Sequence, residues 1–273
     1  MDAKQVITSR QNPLIKSVCG LVEKKKRIQS STFRFDGVKL LREALESEIQ
    51  IKYVIYREDV GQDISALIEK AVSLGKLSQE NAVAVSESVF EKMTEESSPE
   101  GVITVANMPS QLHTKELSLK REDRILIAES LRDPGNLGTV IRSCYALGID
   151  RLIITSDCAD LYNPKTIRAA MGAIFKLPTA TVPCESLPQV IKELRATGRK
   201  VYAAALHRDS QNIRDVSLSR GDCFVIGNEG HGLKDSTVEA CSSCVIIPMR
   251  EGAESLNAAA AASICIWETV GAK

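Results

Sequence analysis

Three polar, glycine-bearing segments interrupt the otherwise apolar second half of the chain, each at the end of a predicted strand. They read ESLRDPGNLG over residues 129–138, FVIGNEGHGL over 224–233 and IPMREGAESLN over 247–257. In open parallel sheets, ligands bind at the carboxyl ends of the strands, where loops converge and helix N-termini offer free N–H groups. The position of the three segments therefore predicts a ligand-binding edge.

The glycines of the second segment invite comparison with a dinucleotide-binding turn, but their spacing differs. Gly227, Gly230 and Gly232 give the pattern GxxGxG. A dinucleotide site needs GxGxxG early in its domain and an acidic residue about 20 positions later. A nucleotide-dependent oxidoreductase is therefore the weaker alternative, and a plain structural turn is the ordinary interpretation of an isolated glycine cluster.

The eight cysteines indicate neither a metal centre nor a disulfide framework. Cys241 and Cys244 have CxxC spacing, but no second pair and no nearby histidine completes a zinc site. Cys144, Cys223 and Cys265 lie inside apolar stretches, which predicts free, buried thiols. We expect no metal cofactor.

Apolar runs between the polar segments have the character of parallel strands that are covered on both faces. Helical patterns alternate with them, which predicts an α/β domain with a parallel sheet. The predicted helices include Lys165–Phe175 and Leu256–Val270. The predicted strands are Ile125–Ala128, Leu152–Thr155, Val201–Ala205, Cys223–Ile226 and Val245–Ile247, with Thr179–Val182 as a weaker sixth.

The first hundred residues alternate short strands and helices, which predicts a smaller α/β sandwich domain. A polar stretch without an apolar period follows, and we place a linker there. The predicted division is thus a domain at 1–107, a linker at 108–122 and a domain at 123–273. With no signal-peptide pattern and no apolar stretch of membrane-spanning length, we expect a cytoplasmic protein.

The net charge is zero, but the charges are segregated along the chain. Residues 1–42 carry ten Lys or Arg against three acids, whereas residues 43–110 carry five against thirteen. The positive segment could track an RNA backbone, although a solvated helix end explains the run at 24–27 equally well. The candidates for RNA contact are Arg10, Lys24, Lys25, Lys26, Arg27 and Arg34.

The three polar segments, taken together, resemble the motifs of a known family. The order D-P-x-N-x-G…R, then G-N-E-x-x-G, then I-P-M…S-L-N-A before an alanine-rich helix is similar to that of SpoU-type (TrmH-like) RNA ribose 2′-O-methyltransferases of the SPOUT superfamily. Residues 9–13 and 33–45 resemble the ribosomal-protein-like RNA substrate-binding domain of the same family. The resemblance covers nearly the whole chain.

The resemblance implies a fold and a cofactor. The C-terminal parallel-sheet α/β domain would form a trefoil knot, an exception to the rule that chains do not thread loops. S-adenosylmethionine would lie bent in the knot, where glycines permit close backbone approach and apolar side chains can pack on adenine. The implied cofactor-binding residues are Gly227, Asn228, Glu229, Gly232, Ile247, Met249 and Leu256.

The same resemblance implies methyl transfer to a ribose 2′-hydroxyl, for which donor and acceptor must be aligned and a proton removed. A guanidinium group offers donors only, so we expect Arg142 to hold the target phosphate and stabilise the developing alkoxide, with Glu229 orienting it. Ser and Asn also favour helix starts. The identity of the general base stays open. The catalytic candidates are Arg142, Asn136, Glu229, Ser255 and Asn257.

Members of the family work as homodimers, and an apolar C-terminal helix carrying Trp267 suits such an interface. Arg168 is a further basic residue that could face RNA. Ribosomal RNA is the preferred substrate, because the N-terminal domain resembles that of the ribosomal-RNA members. The alternatives are a tRNA 2′-O-methyltransferase and a non-catalytic, ribosome-associated RNA-binding protein.

Overall fold

A computed structural model describes residues 6–114, 119–207, 209–252 and 255–271 of the 273-residue chain. The predicted linker and the third polar segment therefore lie partly outside the described residues, at 115–118 and at 253–254. The chain divides into two compact units. The first runs to Pro109 and also includes Tyr162–Phe175, and the second contains Ser110–Leu161 and the chain from Lys176 onward.

Helices and strands alternate along the N-terminal part of the first unit, as the sequence predicts. The helices are α1 (Pro13–Gly20), α2 (Lys24–Ser30), α3 (Val38–Leu45), α4 (Gln62–Ser73) and α5 (Glu87–Met93), and the strands are β1 (Thr32–Asp36), β2 (Ile51–Arg57), β3 (Ala82–Val85) and β4 (Val102–Asn107).

The sheet of the first unit has the strand order β1-β4-β2-β3. Strand β4 is antiparallel to both neighbours, whereas β2 and β3 run parallel. Helices α1 and α5 cover the sheet through a buried cluster that includes Val18, Phe90 and Ile103. The predicted smaller α/β domain is confirmed.

Along the rest of the chain, helices again separate the strands, and none of the described helices is long and apolar enough to cross a membrane. The helices are α6 (Pro134–Leu147), α7 (Pro164–Ala170), α8 (Leu187–Ala196), α9 (Asp235–Ala240) and α10 (Ala258–Gly271), and the strands are β5 (His113–Thr114), β6 (Ile125–Ala128), β7 (Arg151–Thr155), β8 (Thr179–Val182), β9 (Val201–Ala204), β10 (Gln211–Asn212), β11 (Cys223–Ile226) and β12 (Ser243–Ile246).

Helix α7 belongs to the first unit, although its sequence lies within the predicted second domain. In this unit the ring centroids of Phe33 and Tyr162 lie 4.8 Å apart. The predicted helix Lys165–Phe175 is too long, because Met171 and Gly172 adopt left-handed backbone, with φ of 51° and 89°. Two consecutive residues of this kind end an α-helix.

The second unit is built on an eight-stranded sheet with the order β10-β12-β9-β11-β6-β7-β8-β5. All of its strand pairs are parallel. The predicted parallel α/β class is confirmed, including the weaker strand candidate at 179–182. The two-residue edge strands β5 and β10 were missed, because two residues are too few to show a period.

The interior of this sheet is covered on both faces, as its apolar strands predict. Ile127, Ile153 and Val225 have no exposed surface. The predicted buried thiols at Cys223 and Cys265 are free, and burial raises the pKa of each to about 12. These two thiols therefore pack as small apolar side chains.

Candidate functional site

The three polar segments meet at one edge of the second sheet. Strands β6, β11, β9 and β12 are successive parallel neighbours, so their carboxyl ends lie along the same edge. The first segment follows β6, the second follows β11 and the third follows β12. The strand order therefore brings the three segments together as expected, and side-chain contacts join them.

The first segment is held by the start of helix α6. The Asp133 side chain caps this helix by accepting a hydrogen bond from the Asn136 backbone N–H at 2.7 Å. Pro134 occupies the first helical position, where its missing N–H costs nothing. The cap fixes the first turn of α6 and places the Asn136 side chain at the strand edge.

A chain of side-chain hydrogen bonds joins all three segments. Asn136 Nδ2 donates to Glu229 Oε1 at 2.8 Å, and Asn257 Nδ2 donates to Asn136 Oδ1 at 2.9 Å. Because these contacts span 93 and 121 positions of sequence, only the fold brings the residues together. The contacts orient one Glu229 carboxylate oxygen and leave the other for a ligand or a water molecule.

Asn257 has a second function at the start of α10. Its Oδ1 accepts from the backbone N–H of Ala259 at 2.9 Å and of Ala260 at 3.3 Å. The capping interpretation and the site interpretation of this residue are thus compatible, since Oδ1 caps the helix while Nδ2 reaches Asn136. The predicted helix start at Leu256 shifts to Ala258 for this reason.

The second segment closes into a tight turn that presents Glu229. Asn228 and Gly232 exchange two backbone hydrogen bonds of 3.0 Å, and Asn228 Oδ1 accepts from Gly230 N–H at 2.9 Å. A Cβ on Gly227 would lie 2.4 Å from the Gly232 carbonyl carbon. Glycine at 227 is therefore required by the packing of the turn itself, in addition to any approach by a ligand.

Arg142 and Ser255 stand apart from the hydrogen-bonded chain. Both side chains are exposed, and within the described ranges neither has a hydrogen-bonding or ionic partner. Arg142 lies on α6, six positions beyond Asn136, and is available for an anionic ligand. Ser255 does not cap α10, which leaves its hydroxyl free as well.

Exposed apolar side chains occupy the same sheet edge. Met249 and Leu256, both predicted to contact a cofactor, are 44% and 40% exposed, and Ile247 is half-buried in the loop after β12. Leu206, in the loop after β9, is 91% exposed and was missed by sequence reasoning. Its signal was position alone, since it follows a buried strand whose carboxyl end lies between those of β11 and β12.

A buried carboxylate that sequence reasoning did not single out holds two elements next to the candidate site together. Glu129 has no exposed surface, and its oxygens accept from the Lys234 backbone N–H at 3.0 Å and from Thr237 Oγ1 at 2.8 Å. It thereby joins the end of β6 to the start of α9. Among the described residues, no group of His, Cys, Asp or Glu side chains is arranged to hold a metal ion.

The basic residues of the first unit fall into two classes. Lys24, Lys25 and Lys26 are exposed in the first turn of α2, where the helix dipole disfavours cations. The dipole therefore does not explain the run. Arg27 is 2% exposed and donates to the carbonyls of Leu21 and Val22 at 2.7 Å.

The other two basic candidates also make contacts within the chain. Arg34 is 4% exposed and pairs with Asp36 at 3.2 Å, which leaves little of it for a partner molecule. Arg10 is exposed and donates to the Ser88 carbonyl at 3.1 Å. The exposed residue Arg168 pairs with Glu96 at 3.3 Å. Of the six RNA-contact candidates, Arg27 and Arg34 are thus committed to the interior.

Two family models match separate parts of this chain. Residues 123–267 match the model described as SpoU rRNA Methylase family. Residues 12–104 match the model described as MRM3-like substrate binding domain. The first match includes every residue of the hydrogen-bonded chain.

Named relatives align with nearly the whole of this chain. The chain is 31% identical to the 23S rRNA (guanosine(2553)-2′-O)-methyltransferase RlmP of Bacillus subtilis, over 97% of this chain and 99% of the relative. It is 28% identical to a 23S rRNA (uridine(2479)-2′-O)-methyltransferase of Streptomyces viridochromogenes, over 98% of this chain and 92% of the relative.

Solved structures share the whole fold. An AdoMet-bound rRNA methyltransferase from Sinorhizobium meliloti superposes with a TM-score of 0.83 at 28% identity, covering 97% of both chains. The SpoU methyltransferase AviRb from Streptomyces viridochromogenes, in complex with AdoMet, superposes with a TM-score of 0.81 at 26% identity, covering 95% of this chain and 97% of that one.

Proposed function

The chain belongs to the SpoU rRNA methylase family, and from this premise we propose that it transfers a methyl group from S-adenosylmethionine to a ribose 2′-hydroxyl of 23S or other ribosomal RNA. The observation that carries the proposal is the chain of hydrogen bonds from Asn257 through Asn136 to Glu229. It gathers polar groups from three separate segments at a single sheet edge, beside the exposed apolar side chains that a cofactor would cover.

The residues at this edge fit S-adenosylmethionine. Leu206, Met249 and Leu256 offer apolar surface for an adenine ring, and the loops after β9, β11 and β12 offer backbone N–H and C=O groups for its polar edge. Gly227, Asn228, Glu229, Gly232 and Ile247 complete the proposed binding set. When bound, the cofactor supplies a methyl group on a positively charged sulfur, which is open to in-line attack.

The side chains divide the remaining work. Arg142 holds the target phosphate and stabilises the negative charge that develops on the 2′-oxygen. Glu229, whose Oε1 is held by Asn136, orients the guanidinium or the hydroxyl through its second oxygen. Ser255 offers a hydroxyl group at the same edge, and Asn257 keeps the Asn136 amide in its orientation.

The two parts of the chain take separate tasks in this proposal. Residues 1–107 bind RNA, residues 123–273 transfer the methyl group, and 108–122 connect them. The exposed run Lys24–Lys26 and Arg10 supply positive charge for the phosphate backbone. Ribosomal RNA is available where ribosomes are assembled. We therefore propose that the protein works in the cytoplasm.

A homodimer and a trefoil knot also belong to the proposal. Trp267 on α10 and Tyr145 on α6 are 67% and 46% exposed, and the two helices pack together through a Ser143–Ser263 hydrogen bond of 2.9 Å. Such aromatic side chains suit an interface between two copies. The place of β11 between β6 and β9 supports the knot. Both neighbouring strands precede β11 in the chain, so β11 must insert between two strands that come before it.

The test uses labelled S-adenosylmethionine with unmodified 23S rRNA and, separately, unmodified tRNA. We expect the purified protein to label the 23S rRNA, and nuclease digestion to release a 2′-O-methylated nucleoside. Label on tRNA alone would change the substrate class, and label on a base would contradict ribose methylation. RNA binding without transfer of label would identify the chain as a non-catalytic binding protein.

A further inference from the structure

A strained serine lies at the end of β6, next to the proposed site. Ser130 has φ of 55°, in the left-handed region that residues with a side chain rarely adopt, and it is 7% exposed. Strain of this kind persists only where the surrounding structure imposes it, and it concentrates at functional sites. We propose that Asp157 is a positioning residue for Glu229, which it aligns by holding Ser130 in this conformation; the inference rests on the proposed function.

Two contacts hold the Ser130 backbone in place. Its N–H donates to Thr155 Oγ1 at 2.8 Å, and its hydroxyl donates to Asp157 Oδ2 at 2.6 Å. Both partners come from β7 and the turn after it, so one strand end fixes the conformation of the neighbouring strand end. Thr155 is 1% exposed, whereas the Asp157 side chain is 31% exposed. A substitution of Asp157 therefore disturbs the core less than a substitution of Thr155.

Asp157 is suited to anchor this hydroxyl because it stays ionised. Burial alone would raise the pKa of Asp157, but the side chains of Ser130, Thr155 and Cys184 outweigh burial and bring the pKa below its ordinary value. A carboxylate accepts a hydrogen bond more strongly than a neutral group does. The Ser130–Asp157 contact is therefore a charge-assisted bond at neutral pH.

The left-handed conformation aims the Ser130 carbonyl at the second polar segment. This carbonyl accepts from Asn228 Nδ2 at 2.8 Å, and Asn228 closes the turn to Gly232 that presents Glu229. A return of Ser130 to ordinary φ would rotate its carbonyl away and release the Asn228 amide. The contacts thus form a relay from Asp157 through Ser130 and Asn228 to Glu229, which in turn holds Asn136.

The relay predicts a loss of kcat that a loss of stability alone would not produce. Asp157→Ala is expected to lower kcat for methylation of 23S rRNA about 10-fold or more, because a displacement of one ångström at a reacting group costs up to about 100-fold. The KM for S-adenosylmethionine should rise by a smaller factor than kcat falls, because Asn228 and Glu229 are only part of the proposed binding set and the loops after β9 and β12 lie outside the relay. Ser130→Ala, which keeps a Cβ and removes the anchored hydroxyl, should behave like Asp157→Ala.

Glycine at 130 separates the relay from other functions of Asp157. Glycine adopts positive φ without an anchor, so adding Ser130→Gly to Asp157→Ala should restore most of the lost kcat. The double variant should match the Ser130→Gly single variant, which means that the two substitutions are strongly non-additive. If Asp157→Ala does not fold, Asp157→Asn provides a weaker acceptor of the same shape, and its smaller loss of kcat should also disappear with Ser130→Gly.

Asp150→Ala is the matched control. Asp150 precedes the same strand at the opposite edge of the sheet and accepts from the Arg124 N–H at 2.8 Å, so it reports the cost of removing an aspartate that accepts a backbone hydrogen bond. We expect kcat to stay within about twofold of wild type, as for a surface substitution away from the site. Wild-type kcat in Asp157→Ala, or a double variant as slow as Asp157→Ala, would overturn the proposal. An inactive wild-type protein would instead contradict the proposed function.

Discussion

Arg142 is exposed on α6, and within the described ranges nothing in the chain neutralises its charge. If it stabilises the charge that develops on the ribose oxygen, Arg142→Ala should lower kcat by about 100- to 1,000-fold, the usual cost of removing one such donor. The melting-temperature increase produced by S-adenosylmethionine should be retained. Single-turnover methylation of 23S rRNA together with thermal unfolding measures both effects.

Arg142→Lys separates charge from geometry, because lysine retains the charge without the two-pronged donor of arginine. An intermediate kcat is expected. Arg220→Ala is the control, since Arg220 is an exposed arginine at the opposite edge of the same sheet. Full activity in Arg142→Ala would remove the residue from the mechanism and leave Glu229 as the main candidate.

Gly227 and Gly230 are glycines of the same turn, but they differ in the atoms that lie next to them. A Cβ at 227 would meet three backbone atoms of Gly232 and Leu233 at 2.4–2.7 Å, whereas a Cβ at 230 would meet only Asn228 Oδ1 at 3.5 Å. Gly227→Ala should therefore destabilise the protein by about 1–3 kcal/mol and weaken cofactor binding. Gly230→Ala should stay within about 0.5 kcal/mol of wild type.

Denaturant unfolding and titration with S-adenosylmethionine distinguish these two variants. Equal stability of both would show that the turn relaxes around a methyl group, and that glycine at 227 is not needed for packing. The predicted loss of stability depends only on the crowding inside the turn, and neither measurement needs an RNA substrate.

Sequence reasoning identified three residues that the structure joins at the candidate site, but not all of their contacts. Asn136, Glu229 and Asn257 were identified through a family resemblance, and the structure joins them by hydrogen bonds. Glu129 and Ser130 precede Asn136 in the same segment and were passed over, because neither a buried carboxylate nor a positive φ leaves a periodic signal. Contacts over about a hundred positions become visible only when the strand order is known.

At the scale of elements, strands were easier to predict than the connections between them. Runs such as Ile125–Ala128 and Cys223–Ile226 are apolar throughout, which marks strands covered on both faces. No sequence pattern showed that β11 lies between β6 and β9, since apolar strands carry no label of their neighbours. The end of α7 was placed too late because left-handed Met171 is invisible to helix periodicity.

Arg199 connects two loops at the amino-terminal edge of the second sheet. It is 5% exposed, and its guanidinium donates to the backbone carbonyls of Asp123 at 2.7 Å, Gly221 and Lys120. Arg199→Met keeps the apolar stem and leaves these carbonyls without their donor. We expect a loss of about 3 kcal/mol in the free energy of unfolding, because unsatisfied buried polar groups cost about 1–3 kcal/mol each.

Arg220→Met is the comparison for this loss of stability, since Arg220 is exposed and its hydrogen bond to the Glu122 carbonyl is long, at 3.5 Å. Its free energy of unfolding should change by less than about 0.5 kcal/mol. If Arg199→Met is no less stable than Arg220→Met, the buried arginine does not hold these loops together.

For the whole molecule, a net charge of zero conceals a division of charge that suits an RNA partner. The excess of Lys and Arg lies within residues 1–42, while residues 43–110 are acidic. Burial refines this picture, because Arg27 and Arg34 are enclosed, whereas Lys24, Lys25 and Lys26 remain exposed. Composition alone could not separate the enclosed charges from the available ones.

Changing Lys24, Lys25 and Lys26 to Gln tests whether these charges contact RNA phosphates. Each phosphate contact contributes about 0.7–0.9 to the slope of log K against log salt, so three lost contacts should flatten the slope by about 2 to 3. Lys52, Lys70 and Lys92 changed to Gln form the matched control, since they are also exposed lysines but lie in the acidic stretch. Binding of a 23S rRNA transcript at several salt concentrations gives both slopes, and a change of equal size in the two triple variants would mean that net charge, and not the start of α2, governs RNA affinity.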